Sequence, residues 1–157
     1  MIIRVYEGQG ASRIGAGILA KKFRQHLPAA DVAMISDQEM NRSTSWQKDT
    51  SVLAFGAGTV RGFRKGLTPS TLDKIRHSIE EGAFDYIGIC AGAALATGNI
   101  AYTVKEEGQI RHITGRGLSL VFADSAGPCR TVSDRPYSGD SENLNIIAVE
   151  RIADNRI

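Results

Sequence analysis

The sequence predicts an α/β fold built on a mostly parallel β-sheet. Short β-type runs alternate with helical patterns from Ile2 to about Gly98, and this alternation is typical of βαβ units with helices on both faces of a sheet. The 157 residues, 42% apolar and 23% charged, match an ordinary folded protein. We therefore expect one domain that spans residues 1–157.

The charge pattern and the cysteine content limit the partners, metals and cofactors that we expect this chain to bind. The 19 basic and 17 acidic residues occur in mixed order, which does not indicate a nucleic-acid-binding surface. The apolar run at the start is too short for a signal peptide or a membrane span, so we expect a cytoplasmic protein without a membrane partner. Cys90 and Cys129 lack a paired zinc-ligand spacing, and no metal or cofactor is predicted.

The first strand and helix have clear boundaries in the sequence. Ile2–Tyr6 is a β-type run, and Ser12 can cap a helix that reaches about Leu27, before a proline. Helical spacing predicts that this helix buries one stripe of apolar residues. The stripe consists of Ile14, Ile18, Leu19 and Phe23.

The next segment alternates between clear and unclear patterns. Val32–Ile35 and Val52–Phe55 read as strands, whereas residues 36–50 have no clear period, although Trp46 is a candidate anchor on the core. After Phe55, the glycines predict a loop that runs through Gly62 and Gly66.

A second long helix and a fourth strand complete the alternating part. The helix begins at Thr68 or Ser70 and ends at Gly82, and Tyr86–Ile89 follows as a strand. Shorter runs in the last third predict additional β structure. These runs are Ile100–Val104, Ile110–Ile113, Leu118–Phe122 and Leu144–Ile152.

The segment Gly-Ile-Cys-Ala-Gly, residues 88–92, is the strongest candidate site. A cysteine between two glycines, after a buried strand and before an Ala-rich helix, has the arrangement of a nucleophile elbow. The helix start favours the thiolate form, and the Ala91 N–H is a candidate oxyanion donor. The alternative is that Cys90 is a small apolar residue and that the glycines only permit close packing.

Three segments occur in an order that resembles the biotin-protein ligase N-terminal domain family. They are Val-Tyr-Glu-Gly-Gln-Gly-Ala-Ser (5–12), Tyr-Ile-Gly-Ile-Cys-Ala-Gly-Ala (86–93) and Gly-Leu-Ser-Leu-Val-Phe-Ala-Asp-Ser-Ala-Gly-Pro (117–128). The resemblance implies a class I glutamine amidotransferase-like domain, with a flavodoxin-like three-layer sandwich and a mostly parallel sheet.

The resemblance also implies roles for individual residues. Cys90 takes the nucleophile position, and Glu7 resembles the acidic partner beside the cysteine in the PfpI-like branch of the superfamily. The alternative for Glu7 is a turn residue. The segment Gly56, Ala57 and Gly58 takes the position of the oxyanion loop, so the candidate oxyanion or substrate-binding residues are Ala91, Gly56, Ala57, Gly58 and Gly92.

The sequence differs from that of a working glutaminase of that superfamily at the residue that acts as the catalytic base. Such enzymes carry a His-Pro-Glu-like element late in the chain, and here no histidine follows His112. His112 is therefore the candidate base, with a structural or exposed histidine as the alternative. The ligase's own catalytic domain is not in this chain, and we do not expect biotin transfer by this chain alone.

Three functions remain open on the sequence. The first is hydrolysis of an amide or ester, or acyl transfer, with Cys90 as the nucleophile. The second is a non-catalytic regulatory domain that binds a small molecule or a protein. The third is a thiol redox sensor that pairs Cys90 with Cys129. A homodimer is compatible with each of them.

Overall fold

The computed structural model describes residues 1–106 and 109–127. The chain divides into two compact units, Met1–Ala96 and Thr97–Ile157, and the expectation of a single domain stays a prediction. None of the helices within the described ranges has the length and hydropathy that a bilayer crossing requires. The first unit contains, in chain order, β1 (Ile2–Tyr6), α1 (Arg13–His26), β2 (Asp31–Ile35), α2 (Asp37–Arg42), α3 (Ser45–Asp49), β3 (Val52–Phe55), α4 (Val60–Gly66), α5 (Pro69–Glu80), β4 (Asp85–Gly88) and α6 (Ala91–Ala96).

The sheet of the first unit is parallel throughout and has the order β2-β1-β3-β4. Ile3 pairs with Val32 on one side and with Val52 on the other, and Val52 pairs in turn with Asp85. The mixed α/β class and the parallel sheet are therefore confirmed. The strand order is compatible with a flavodoxin-like arrangement, in which the chain reverses direction across the sheet between β1 and β3.

Alternate residues of the strands build a separate core on each face of the sheet. On one face, Ile3, Val5 and Ala54 pack against Ala16 and Ala20 of α1. The other face carries aromatic rings that stack or meet edge to face at centroid distances of 4.6 to 5.8 Å. These rings belong to Tyr6, Phe55, Phe63 and Tyr86.

The limits of α1 agree with the sequence, but the predicted buried stripe is partly wrong. Ser12 caps the helix by accepting a hydrogen bond from the N–H of Gly15. Ile14 and Ile18 are 78% and 56% exposed. The side of α1 that faces the sheet instead carries small residues such as Ala16, because these allow the helix backbone to approach the strands closely.

The segment 36–50, which showed no clear period, folds as two short helices. Ser36 and Glu39 form a capping box at the start of α2, with Ser36 Oγ 3.2 Å from the Glu39 nitrogen. Trp46 of α3 is buried, and its ring lies 5.8 Å from that of Phe84. The expectation that Trp46 anchors this segment on the core is confirmed.

The predicted glycine-rich loop after β3 is wrong over most of its length, since residues 60–66 form α4. Thr59 caps this helix by accepting from the N–H of Gly62, and Phe63 and Leu67 are fully buried on its core side. Tertiary burial therefore outweighs the low helix propensity of the two glycines.

The second unit contains β5 (Asn99–Glu106), β6 (Gln109–Arg116) and β7 (Ser125–Gly127). β5 pairs antiparallel with β6 and parallel with β7, which confirms the additional β structure. The strand expected at Leu118–Phe122 is wrong. Leu118 is buried but Phe122 is 97% exposed, so this run buries only one end and forms no ladder. The run Leu144–Ile152 lies outside the described residues.

Candidate functional site

The carboxyl ends of β1, β3 and β4 lie at one edge of the parallel sheet in the first unit. Glu7 follows β1, Gly56 follows β3, and Ile89 and Cys90 follow β4. Ligands of open α/β sheets bind outside this edge. The topology therefore gathers most of the predicted site residues on one side of the first unit.

Cys90 occupies a sharp turn between β4 and α6. Its backbone has a φ of 58°, in the left-handed region that residues with a side chain rarely adopt. The N–H of Ile89 donates to the Phe55 carbonyl at 2.9 Å, and the Cys90 carbonyl accepts from the N–H of Ala94 at 3.1 Å. The thiol is exposed, so the turn presents Cys90 outward rather than burying it in the core.

The two glycines that flank the turn are required by close backbone contacts. A Cβ at Gly88 would lie 2.6 Å from the carbonyl oxygen of Gly92. One at Gly92 would lie 2.1 Å from the carbonyl oxygen of Phe55. Both distances are shorter than any normal contact of a Cβ, and both involve backbone atoms that are fixed by secondary structure. The spacing Gly-x-Cys-x-Gly therefore reflects the packing of α6 against β3 and β4.

Tyr86 supplies a side-chain contact to the same turn. Its hydroxyl donates to the Gly92 carbonyl at 2.7 Å, and its ring stacks on Phe55 at 5.8 Å. Burial raises the pKa of the Tyr86 phenol well above its ordinary value. The hydroxyl consequently remains a proton donor throughout the physiological pH range.

The loops after β1 and β3 pair with each other at the point where the strand order reverses. The N–H of Ser12 donates to the Ala57 carbonyl at 2.8 Å, and the N–H of Thr59 donates to the Gly10 carbonyl at 2.8 Å. Gly10 has a φ of 89°, and a Cβ there would lie 2.4 Å from the backbone of Gly62. This pairing fixes the loop that contains Ala57 and Gly58.

The backbone N–H groups at the start of α6 and in the loop after β3 differ in their partners. The Gly92 N–H donates to the carbonyls of Gly56, at 3.2 Å, and Ile89, at 3.0 Å. Ala91 is the first residue of α6, so its N–H has no acceptor inside the helix. The pairing of the two loops uses neither the N–H of Ala57 nor that of Gly58. The Gly92 N–H is therefore used within the turn itself, and the roles of Ala91, Gly56, Ala57 and Gly58 as oxyanion residues stay predictions.

Glu7 is exposed at the same sheet edge. Its backbone N–H donates to the Ile35 carbonyl at 2.9 Å. Since β3 lies between β1 and β4, the strands that lead to Glu7 and Cys90 are about 10 Å apart. A direct contact requires the Glu7 side chain to extend across the end of β3, and its pairing with the thiol stays a prediction.

The three histidines occupy other positions. His26 is the last residue of α1, and His77 lies in the last turn of α5, where its Nδ1 is 2.8 Å from the Asp73 carbonyl oxygen. These helices run back across the sheet, so both histidines lie at the edge opposite Cys90. His112 belongs to the second unit, on β6, with its Nδ1 3.0 Å from Thr103 Oγ1. Its role as a base stays a prediction.

The remaining site expectations concern metal and disulfide chemistry. Within residues 1–106 and 109–127, His, Cys, Asp and Glu side chains form no group of three that could hold a metal ion. Cys129 lies outside the described residues, so its pairing with Cys90 stays a prediction.

Tyr86 was not among the site residues predicted from the sequence. A signal was present, because alternation along a strand places residues 86 and 88 on the same face. Gly88 approaches the first turn of α6, so a residue two positions earlier on that face also lies close to this helix.

These elements define the class of the protein. The first unit is a parallel α/β structure with an exposed cysteine in a strained turn between a strand and a helix.

The comparison with family models gives the family itself. Residues 1–136 match the model described as biotin-protein ligase, N terminal, which covers most of the chain and every described residue. The chain belongs to the biotin-protein ligase N-terminal family, and the resemblance seen in the sequence is confirmed. Searches of curated proteins and of solved structures gave no significant match.

Proposed function

We propose that this chain is a class I glutamine amidotransferase-like domain with a flavodoxin-like fold, in which Cys90 is the nucleophile at a nucleophile elbow. The observation that carries the proposal is the exposed thiol of Cys90 at a φ of 58°, directly between β4 and α6. Strained backbone at such a turn is common at functional sites. The strand order and the family membership support the same interpretation.

The proposed reaction is attack on an amide or ester carbonyl. The Cys90 thiolate forms a bond to the carbonyl carbon, and the carbonyl π electrons move to oxygen. The Ala91 and Gly58 N–H groups stabilise this oxyanion, with Gly56 and Ala57 shaping the loop. When the carbonyl re-forms, the bond to the amine or alkoxide breaks, and the leaving group takes a proton. Water then hydrolyses the thioester, or another nucleophile accepts the acyl group.

The reaction needs a group that moves protons between the thiol, the leaving group and water. Glu7 is the candidate in the first unit, since it is exposed at the same sheet edge as Cys90. His112 belongs to the second unit, and its role as a base stays a prediction from the sequence. The substrate would be a small carbonyl compound, and the proposed location is the cytoplasm.

Turnover of a panel of chromogenic esters and anilides tests the proposal. Hydrolysis by the wild-type protein should fall by at least about two orders of magnitude in Cys90→Ala, because the acyl-enzyme can no longer form. The matched control is Cys129→Ala, which removes the second thiol and should retain turnover. Equal rates in the Cys90→Ala and wild-type proteins would contradict the proposal.

A second candidate function is binding without catalysis. It is favoured by the positions of His26 and His77, which lie at the sheet edge opposite Cys90 and leave the first unit without a histidine beside the thiol. A regulatory domain of this kind would recognise a small carbonyl or carboxylate compound, or a protein. In that case Cys90→Ser should still bind the compound with an unchanged Kd, measured by calorimetry, and the wild-type protein should not consume it.

A further inference from the structure

We propose that Tyr86 is a positioning residue for Cys90, which deepens the proposed function and rests on it. The Tyr86 hydroxyl donates to the Gly92 carbonyl at 2.7 Å. Tyr86 precedes Cys90 by four residues, and Gly92 follows it by two. This hydrogen bond therefore joins the strand before the turn to the helix after it and encloses Cys90 between its two ends.

The donor is fixed in place by its surroundings. The Tyr86 ring stacks on Phe55 with an interplanar angle of 23°, and Phe55 is fully buried. The Phe55 carbonyl also accepts from the N–H of Ile89. Phe55 thus contacts the segment around Cys90 through its ring and through its backbone.

The acceptor is equally constrained. The Gly92 carbonyl oxygen lies so close to Gly88 that a Cβ at Gly88 would be 2.6 Å away. The carbonyl therefore sits between the Gly88 backbone and the Tyr86 hydroxyl. Positive φ at a residue with a side chain persists only where surrounding contacts over-determine it, and the Tyr86 hydrogen bond is one of those contacts at Cys90.

Tyr6 offers a matched control for this contact. Its ring stacks on the same Phe55 at 4.6 Å, and its hydroxyl donates to the Gln9 carbonyl at 3.1 Å. Tyr6→Phe therefore removes one hydroxyl-to-carbonyl hydrogen bond from the same aromatic cluster. The bond lost belongs to the loop after β1 instead of the Cys90 turn.

The test is the rate at which iodoacetamide alkylates Cys90 at pH 7, measured in a Cys129→Ser background for Tyr86→Phe, Tyr6→Phe and the parent. In native protein, Tyr86→Phe should slow alkylation about fivefold, the factor that corresponds to one net hydrogen bond. In urea that unfolds the protein, the turn is lost, and the rate of Cys90 alkylation should be equal for all three proteins. Tyr6→Phe should alkylate at the parent rate.

Two outcomes of that experiment would overturn the inference. One is an unchanged native rate in Tyr86→Phe. The other is an equal decrease in Tyr6→Phe, which would show a general loss of stability. Alkylation needs no substrate, so a fivefold effect of Tyr86→Phe in a protein that hydrolyses nothing would uphold the positioning role and refute catalysis.

A second measurement keeps the inference testable if Tyr86→Phe does not fold. In the wild-type protein, the Tyr86 hydroxyl proton should give a slowly exchanging NMR resonance with nuclear Overhauser contacts to the first turn of α6, because it is held in a partly buried hydrogen bond of 2.7 Å to the Gly92 carbonyl. A hydroxyl proton that exchanges with water too fast to be observed would overturn the inference.

Discussion

Replacing Gly92 with alanine perturbs the contact that places α6 against the sheet. The added Cβ would lie 2.1 Å from the Phe55 carbonyl oxygen and 2.7 Å from its carbonyl carbon. To reach an ordinary contact, α6 must move by about 1 Å away from a fully packed strand. Phe55 belongs to β3, which is paired on both sides, so the helix has to move and not the strand.

The free energy of unfolding should fall by about 3 kcal/mol or more in Gly92→Ala. Overpacking of a rigid core costs about 1–3 kcal/mol, and contact with strand backbone belongs at the upper end. Gly17→Ala is the matched control, since Gly17 lies inside α1 and a Cβ there meets nothing within 4 Å. Higher helix propensity should stabilise that variant by about 0.5–1 kcal/mol.

Urea denaturation followed by the fluorescence of Trp46 measures both variants. Trp46 is the sole tryptophan and is buried against Phe84, so its emission should change on unfolding. If Gly92→Ala is as stable as the wild-type protein to within about 0.5 kcal/mol, the turn accommodates a side chain. The described approach of α6 to β3 would then be refuted.

Three further predictions concern helix caps, pH and surface residues. Thr59→Ala should lower the free energy of unfolding by about 1 kcal/mol, because α4 loses its cap, while Thr59→Ser should retain it; equal stability of both variants in urea would contradict this. Hydrogen bonds from the Ser36 side chain and backbone lower the pKa of Glu39 below its ordinary value, so its stabilisation is present above the unfolded pKa and is lost as the pH falls through the folded pKa. Glu39→Gln keeps an acceptor but cannot titrate, so its loss of stability between pH 7 and pH 3 should be smaller than that of the wild-type protein by about 0.2–0.5 kcal/mol, a small effect because the side chain is exposed; an unchanged or steeper loss in urea titrations would be inconsistent. Ile18→Ser should change stability by no more than about 0.5 kcal/mol, whereas Leu53→Ala should cost about 2–5 kcal/mol because Leu53 is fully buried; a large effect of Ile18→Ser would indicate that this side chain is covered in solution.

The strands of the first unit could be predicted from the sequence because each is a short apolar run next to turn residues. The start of α1 could also be predicted, since Ser12 carries a local capping signal. Burial of Ile14 and Ile18 could not be predicted. Which side of a helix meets the sheet depends on neighbouring elements, and small residues such as Ala16 compete for that side.

The helix at residues 60–66 was missed for a related reason. Gly62 and Gly66 lower helix propensity locally, but the spacing of Phe63 and Leu67 from Val60 matches a helical stripe that becomes buried. The local composition disfavours a helix at residues 60–66, whereas burial of the apolar stripe favours one, and the effect of burial is the larger.

The candidate site also contains features that could be predicted from the sequence and features that could not. The turn at Cys90 could be predicted, because a cysteine between two glycines at the end of a strand is a pattern visible in the sequence, whereas the contact of Gly92 with the Phe55 carbonyl joins residues far apart in the chain. Strand alternation places Tyr86 on the same face as Gly88, but its hydrogen bond to Gly92 depends on a distance across the turn that the sequence does not give. The same holds for Glu7, whose separation from Cys90 follows from the strand order.

The mass of the protein species present during turnover shows directly whether Cys90 is the nucleophile. The Cys129→Ser protein is mixed with an activated ester, quenched in acid within one turnover, and analysed as intact protein and as peptides. We expect one acyl group on Cys90, formed and lost at least as fast as product appears, and none in the Cys90→Ala, Cys129→Ser double variant. Turnover without an acyl group on Cys90, or with the acyl group on another residue, would show that Cys90 is not the nucleophile.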